Sequence, residues 1–159
     1  MSANKMGHYL KDRSQRAVID GMASERLPVT SGVPHGSIVG PLIFVIFINN
    51  LPDVVHEQTN TPLYADDTNL HRTIVSIKDC DILQQDLANL NTWSYVSNMK
   101  FNASKCKVLT VTRKKSPVTL EYRLGNAYIK RVLEEKDLGV MMSSRLSWDS
   151  HVYAYCTQG

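Results

Sequence analysis

The sequence predicts an α+β fold in which antiparallel hairpins make a sheet with helices packed on one of its faces. Three observations predict it. An apolar run, "PLIFVIFI" at 41–48, opens at Gly40-Pro41. A long stretch after residue 76 repeats its apolar residues at helical spacing. Strand–turn–strand patterns recur at 62–73, 107–124 and 127–142. The resulting order is helix, hairpin, helix, then two more hairpins, which is the arrangement that stacks helices on a sheet. A length of 159 residues is about one domain.

The elements follow in order. "AVID" (17–20) and "LPVT" (27–30) read as two short strands around "GMASE". "SGVPHGSIVG" brings glycine and proline together before the apolar run, and proline suits the first turn of a helix. That helix is expected to reach about Asn50 and stop before Pro52, and its apolar circumference predicts a buried core helix. Residues 62–73 read as strand, tight turn, strand. Ser76 with Asp79 three residues on is a capping box for the clearest helix, whose inner face is expected to carry Ile77, Cys80, Leu83, Leu87, Leu90 and Trp93 or Ser94. "KVLTVT" (107–112) and "VTLEYRL" (118–124) suggest a hairpin around "RKKSP", and 127–133 with 138–142 another around "EEK". "SWDSHVYAYC" begins a further helix.

Composition narrows the class. With 43% hydrophobic and 21% charged residues, the sequence is too apolar for a disordered chain. Three cysteines without C-x-x-C spacing argue against a disulfide framework or a zinc knuckle and fit a reducing, intracellular compartment, nucleus or cytoplasm. No apolar leader follows Met1, and the longest apolar run is far short of the roughly 18 residues a spanning helix needs. The net charge of +3 is unevenly spread: residues 31–100 hold three Lys/Arg against seven Asp/Glu, and residues 101–159 hold ten against five. A cation site beside a phosphate-binding surface produces such a pattern, and so do two solvated faces of one domain.

The adjacent carboxylates of "PLYADDTNL" (62–70) are the sharpest chemical signal. Two like charges side by side gain nothing for folding. On a hairpin turn, however, they stand clear of the sheet, where a hydrated Mg²⁺ takes one or two carboxylates plus substrate phosphates. A solvated turn is the plainer alternative, and the apolar approach Leu63-Tyr64-Ala65 counts against it.

Taken with "SGVPHGSIVGPL" some thirty residues earlier, and "FNASK" and "KDLGV" in order behind it, "YADD" resembles the reverse transcriptases of non-LTR (LINE-type) retrotransposons, the jockey-like group especially. The resemblance runs from "YLKDRSQRAVIDG" to "LSWDSHV" and implies an incomplete reverse-transcriptase palm over 1–146, with the start of a thumb at 147–159. It implies an RNA-directed DNA polymerase working by two-metal nucleotidyl transfer on an RNA template and DNA primer, with Mg²⁺ or Mn²⁺. It makes Asp66 and Asp67 metal ligands and catalytic residues. It places Tyr64 by the primer terminus, and Gly32, Pro34, His35, Gly36 and Ser37 in the loop against template and nucleotide. Lys105 would stand where pyrophosphate leaves, and Leu138 and Gly139 in the primer grip. Arg113, Lys114 and Lys115, at the tip of a predicted turn, are expected to meet a nucleic-acid backbone.

The departures from the family pattern are specific. His35 stands where glutamine is usual, Asn50 for aspartate, and Ser97 for a second tryptophan, a change expected to leave a cavity or a looser helix end. Only Asp12 and Asp20 precede Ser31, and neither has the strand context of the family's first catalytic aspartate, in motif A. The expected consequence is a chain inactive alone. A non-catalytic nucleic-acid-binding module and a functionless transposon remnant remain the alternative readings.

Overall fold

The described strands are two to four residues long, so turn chemistry and side-chain staples, rather than long ladders, hold them in place. The structure is a computed structural model that describes residues 10–30, 32, 33 and 36–156. The chain forms two compact units, Met1–Asn49 and Asn50–Gly159.

In the first unit, β1 (Ser14–Gln15) pairs with β4 (Leu27–Pro28), and β2 (Val18–Ile19) with β3 (Met22–Ala23), both antiparallel, so one hairpin lies inside the other. The inner turn is Asp20-Gly21, with φ of 50° and 78°. The two strands read from the sequence are therefore present at 18–19 and 27–28, but each takes a different partner, because this Asp-Gly turn folds Val18–Ile19 back on its own neighbours. Helix α1 (Val39–Ile48) follows. Its expected burial is not found: Gly40 and Ile48 are buried, while Leu42, Val45, Ile46 and Phe47 stand about half exposed. Patterning sets what a helix would bury, and none of the described elements of this unit covers that stripe.

The second unit begins with a 3-10 turn, Leu51–Val54, followed by the hairpin β5 (Leu63–Tyr64) and β6 (Asp67–Thr68). The long helix α2 (Ile77–Val96) starts in the capping box expected of Ser76 and Asp79. It ends in a Schellman motif: Met99 N–H donates to the Ser94 carbonyl and Asn98 N–H to that of Tyr95, with Asn98 at φ 51°. Ser97 therefore caps a closed helix end rather than loosening it. Cys80, Leu90, Trp93 and Ser94 lie inside as expected, Leu83 and Leu87 are half-buried, and Ile77 is exposed. Leu51, Tyr122 and Leu124 complete this core. Burial, and then a hydrogen bond with Cys80, push the Tyr122 hydroxyl well above its ordinary pKa.

The basic half departs most from expectation. "RKKSP" turns no hairpin: β7 (Lys107–Leu109) instead pairs in parallel with β10 (Lys130–Val132), and β8 (Arg123–Leu124) forms its own hairpin with β9 (Ala127–Tyr128). The amide of Gln84 fixes β8 to α2, accepting from Arg123 N–H at 2.8 Å and donating to Arg123 O at 3.0 Å. The β8–β9 turn presses so close to α2 that a Cβ on Gly125, at φ 59°, would stand 3.1 Å from Asn91 Oδ1. The last hairpin turns at Leu138-Gly139 rather than at "EEK". Strands β11 (Glu134–Asp137) and β12 (Val140–Ser143) pair in a register that leaves those two residues, φ 45° and 88°, as the loop. Both angles are positive, as a type I′ turn requires. Helix α3 (Asp149–Cys156) follows, and Met141 N–H donates to His151 Nδ1 at 3.2 Å. The fold is thus mixed helix and strand, as expected, but its described strands form five antiparallel pairs and one parallel pair, not one continuous sheet.

Candidate functional site

Register puts Tyr64 opposite Asp67 in the β5–β6 pair, leaving Ala65 and Asp66 as a two-residue turn. Ala65 has φ 52°, a left-handed conformation that costs a residue with a Cβ about 1–2 kcal/mol. Such strain gathers where structure serves a site. Here it folds the chain so sharply that two carboxylates meet solvent at one hairpin tip. Asp66 and Asp67 are both exposed, and neither side chain has a hydrogen-bond or ion-pair partner among the described residues. Tyr64 is exposed beside them.

The hairpin is braced from behind by residues the sequence reading passed over. Asn69 Nδ2 donates to Asp137 Oδ2 at 3.1 Å, joining this hairpin's exit to β11 and so to the Leu138-Gly139 turn. Asn60 and His71 exchange backbone hydrogen bonds at 2.9 Å in both directions. Arg72, its side chain only 4% exposed, donates to Thr59 Oγ1, Gln58 Oε1 and His56 Nδ1, and lies 3.7 Å from Asp79 Oδ1. Asp86, on α2, accepts from His56 N–H and Thr59 Oγ1 at 2.7 and 2.6 Å. The loop leading to the aspartates is therefore stapled to α2 and to the strand leaving them. Only a buried carboxylate and arginine at these positions would have signalled it, and in sequence they look like surface charges.

Asp79 links this brace to the helix start. Backbone N–H of Ser76, then its hydroxyl and Val75 N–H, with Arg72 nearby, hold the Asp79 carboxyl below its ordinary value of 3.8. A depressed folded-state pKa contributes stability that is full above the unfolded value and is lost as pH falls through the folded one. Acid titration of stability is accordingly expected to fall more steeply below about pH 4 for the native chain than for Asp79→Asn. Equal acid slopes by thermal unfolding would contradict the assignment.

The remaining predicted residues fall in separate places. Gly32 and Gly36 have positive φ with open space where a Cβ would stand, Arg13 Nη2 donates to Gly32 O, and Ser37 Oγ accepts from Gly40 N–H at the start of α1. Pro34 and His35 lie outside the described residues. Lys105 sits in a tight turn organised by Asn102, whose Oδ1 accepts from Ser104 N–H and Oγ, and no ion pair links it to the aspartates. Arg113, Lys114 and Lys115 are exposed in an irregular segment, not at a hairpin tip. Asn50, one of the departures, accepts a hydrogen bond from Trp93 Nε1 at 3.1 Å.

A family profile described as reverse transcriptase (RNA-dependent DNA polymerase) matches residues 3–142. The chain belongs to the reverse transcriptase family. It is similar to the RNA-directed DNA polymerases from mobile element jockey of Drosophila melanogaster (29% identical) and Drosophila funebris (27%), in each case over 91% of this chain and 16% of the relative. It is also 29% identical to the probable RNA-directed DNA polymerase from transposon BS of Drosophila melanogaster, over 92% of this chain and 17% of that protein. The chain thus spans about a sixth of the length of these curated relatives. The reverse-transcriptase family generally uses divalent cations. The free carboxylates of Asp66 and Asp67 suit part of the shell of a hydrated divalent ion, which takes one or two carboxylates and keeps water. Among the described residues no third His, Cys, Asp or Glu joins them in a ligand cluster.

Proposed function

We propose that this chain is part of an RNA-directed DNA polymerase of a non-LTR retrotransposon, with residues 1–146 a partial palm and 147–159 the start of a thumb, and that it does not polymerise DNA alone. The observation that carries this is the strained turn at Ala65, which presents two unpartnered carboxylates to solvent with no third ligand among the described residues. Asp66 and Asp67 would hold Mg²⁺ or Mn²⁺, which in nucleotidyl transfer activates a primer hydroxyl and steadies the triphosphate. Tyr64 offers an aromatic face next to the pair for the primer terminus. Leu138-Gly139, tied to the same hairpin through Asp137 and Asn69, would hold the primer. Gly32, Pro34, His35, Gly36 and Ser37 would lie against template and nucleotide. Lys105 carries an ammonium with no ion pair among the described residues, on a tight turn suited to a departing pyrophosphate. The solvated Arg113, Lys114 and Lys115 would meet the phosphate backbone of the RNA–DNA hybrid.

One or two carboxylates bind a hydrated cation weakly. Titration with Mn²⁺, followed by paramagnetic broadening of residues 64–68, is expected to give half-saturation above about 0.1 mM. Asp66→Asn should abolish the local broadening. Micromolar-tight binding, or binding indifferent to Asp66→Asn, would contradict this view of the site.

A further inference from the structure

The basic excess of this chain is concentrated in residues 101–132, which hold eight Lys/Arg and a single acidic residue, Glu121. The unexpected strand pairing gathers part of it on one face. In the β8–β9 hairpin Arg123 lies opposite Tyr128. Two residues after Tyr128, and so on the same side by strand alternation, comes Lys130, whose partner in the parallel pair is Lys107. Arg123, Tyr128, Lys130 and Lys107 therefore form a stripe across neighbouring strands. The opposite side carries Tyr122 and Leu124, both buried in the core. All four stripe residues are exposed.

Three features mark this stripe as more than solvated charge. Arg123 stacks over the Tyr128 ring at 4.5 Å from its centroid, which holds a large aromatic side chain in place while it stays 61% exposed. Lys130 faces Lys107 across the parallel pair, an arrangement of like charges that weakens strand pairing. Lys107 relieves it only by turning its ammonium onto the Ser104 carbonyl, and Lys130 has no partner among the described residues. Among the described residues no carboxylate comes within ion-pair distance of any of the four, although Glu121 borders the shallow hollow lined by Tyr128, Lys130 and Arg131.

We propose that this stripe is a binding surface for an unpaired nucleic-acid strand, distinct from the Asp66–Asp67 hairpin. A base would stack on the open side of the Tyr128 ring, and Arg123, Lys130 and Lys107 would track the flanking phosphates. An exposed aromatic among cations is the combination that holds single strands, because every base offers a π-face while a duplex keeps its bases stacked inside. The choice of nucleic acid over another polyanion rests on the polymerase reading above, while the geometry of the stripe does not.

The test is fluorescence anisotropy of the full chain with a single-stranded oligo(U) RNA of about twelve nucleotides, without divalent cations. Tyr128→Ala is expected to weaken binding by about five- to a hundredfold, and Tyr128→Phe, which keeps the ring, to bind within about twofold of the native chain. The pair Arg123→Ala and Lys130→Ala should lower the magnitude of the slope of log affinity against log salt by about 1.4. Glu121→Gln should tighten binding at low salt. Circular dichroism of each variant establishes that it folds. The proposal is overturned if Tyr128→Ala binds as the native chain does, if it loses equally on a duplex of the same length, or if polyphosphate, which has no bases, competes as well as the RNA. Because no metal or catalysis enters, these results stand apart from the polymerase reading: a chain that binds the strand yet never polymerises, even when completed, overturns only that reading.

Discussion

Asp86→Ala is expected to lower folding stability by about 3–5 kcal/mol. Asp86 is 2% exposed and accepts two short hydrogen bonds, from His56 N–H at 2.7 Å and Thr59 Oγ1 at 2.6 Å. A hydrogen bond to a carboxylate contributes about 1.5–3 kcal/mol, and truncation leaves the donors without a partner where Thr59 is itself buried. Arg72, which also donates to Thr59 and is nearly as buried, would then lose the carboxylate that organises its neighbour. Asp86→Asn should lose less, since its amide oxygen still accepts one donor. Asp81→Ala, exposed five residues earlier on α2, should stay within about 0.5 kcal/mol. Urea unfolding of the three variants checks this order, and a loss below about 1 kcal/mol for Asp86→Ala would mean that the loop is not stapled as described. The same variant should free residues 56–61 and, through the Asn60–His71 bridge, the strand leaving the aspartate turn.

What the sequence made legible is what local chemistry decides. The capping box at Ser76 and Asp79, the helix it starts and the tight turn at the aspartate pair each depend on residues within a few positions of one another, and each is where the pattern placed it. The elements misread are those decided at a distance. Strand β7 could have turned back at "RKKSP" by local composition, but its partner is β10, twenty-odd residues on, in parallel. The last hairpin slipped because Leu138 carries a positive φ that leucine rarely adopts, so Leu-Gly did not read as a type I′ turn while the polar "EEK" did. Asp86 was invisible for another reason: a carboxylate on a helix is usually solvated, and only the fold shows two donors converging on it. Helix α1 was read correctly as apolar and wrongly as buried, because no layer that would cover Leu42, Val45 and Ile46 is among the described elements of its unit. For the site, the ordered motifs identified the family and singled out the aspartate pair as candidates, but nothing local revealed the Asn69–Asp137 bond that ties the aspartate hairpin to the Leu138-Gly139 hairpin.

Primer extension tests the central claim, that Asp66 and Asp67 are half of a polymerase metal site, most directly. Nucleotidyl transfer needs cations bridged by carboxylates from more than one place, and a site missing one of them forfeits most of the rate enhancement, several powers of ten. The assay uses poly(rA)/oligo(dT) with Mg²⁺ or Mn²⁺ and compares the chain as it stands, the chain fused behind a segment carrying a motif A strand, and both with Asp66→Ala. The expected result is no extension by the chain alone, extension by the fusion, and silence again when the fusion carries Asp66→Ala. Extension by the chain alone that Asp66→Ala abolishes would contradict the incomplete site, and extension by the fusion that survives Asp66→Ala would contradict the role of the aspartate pair itself.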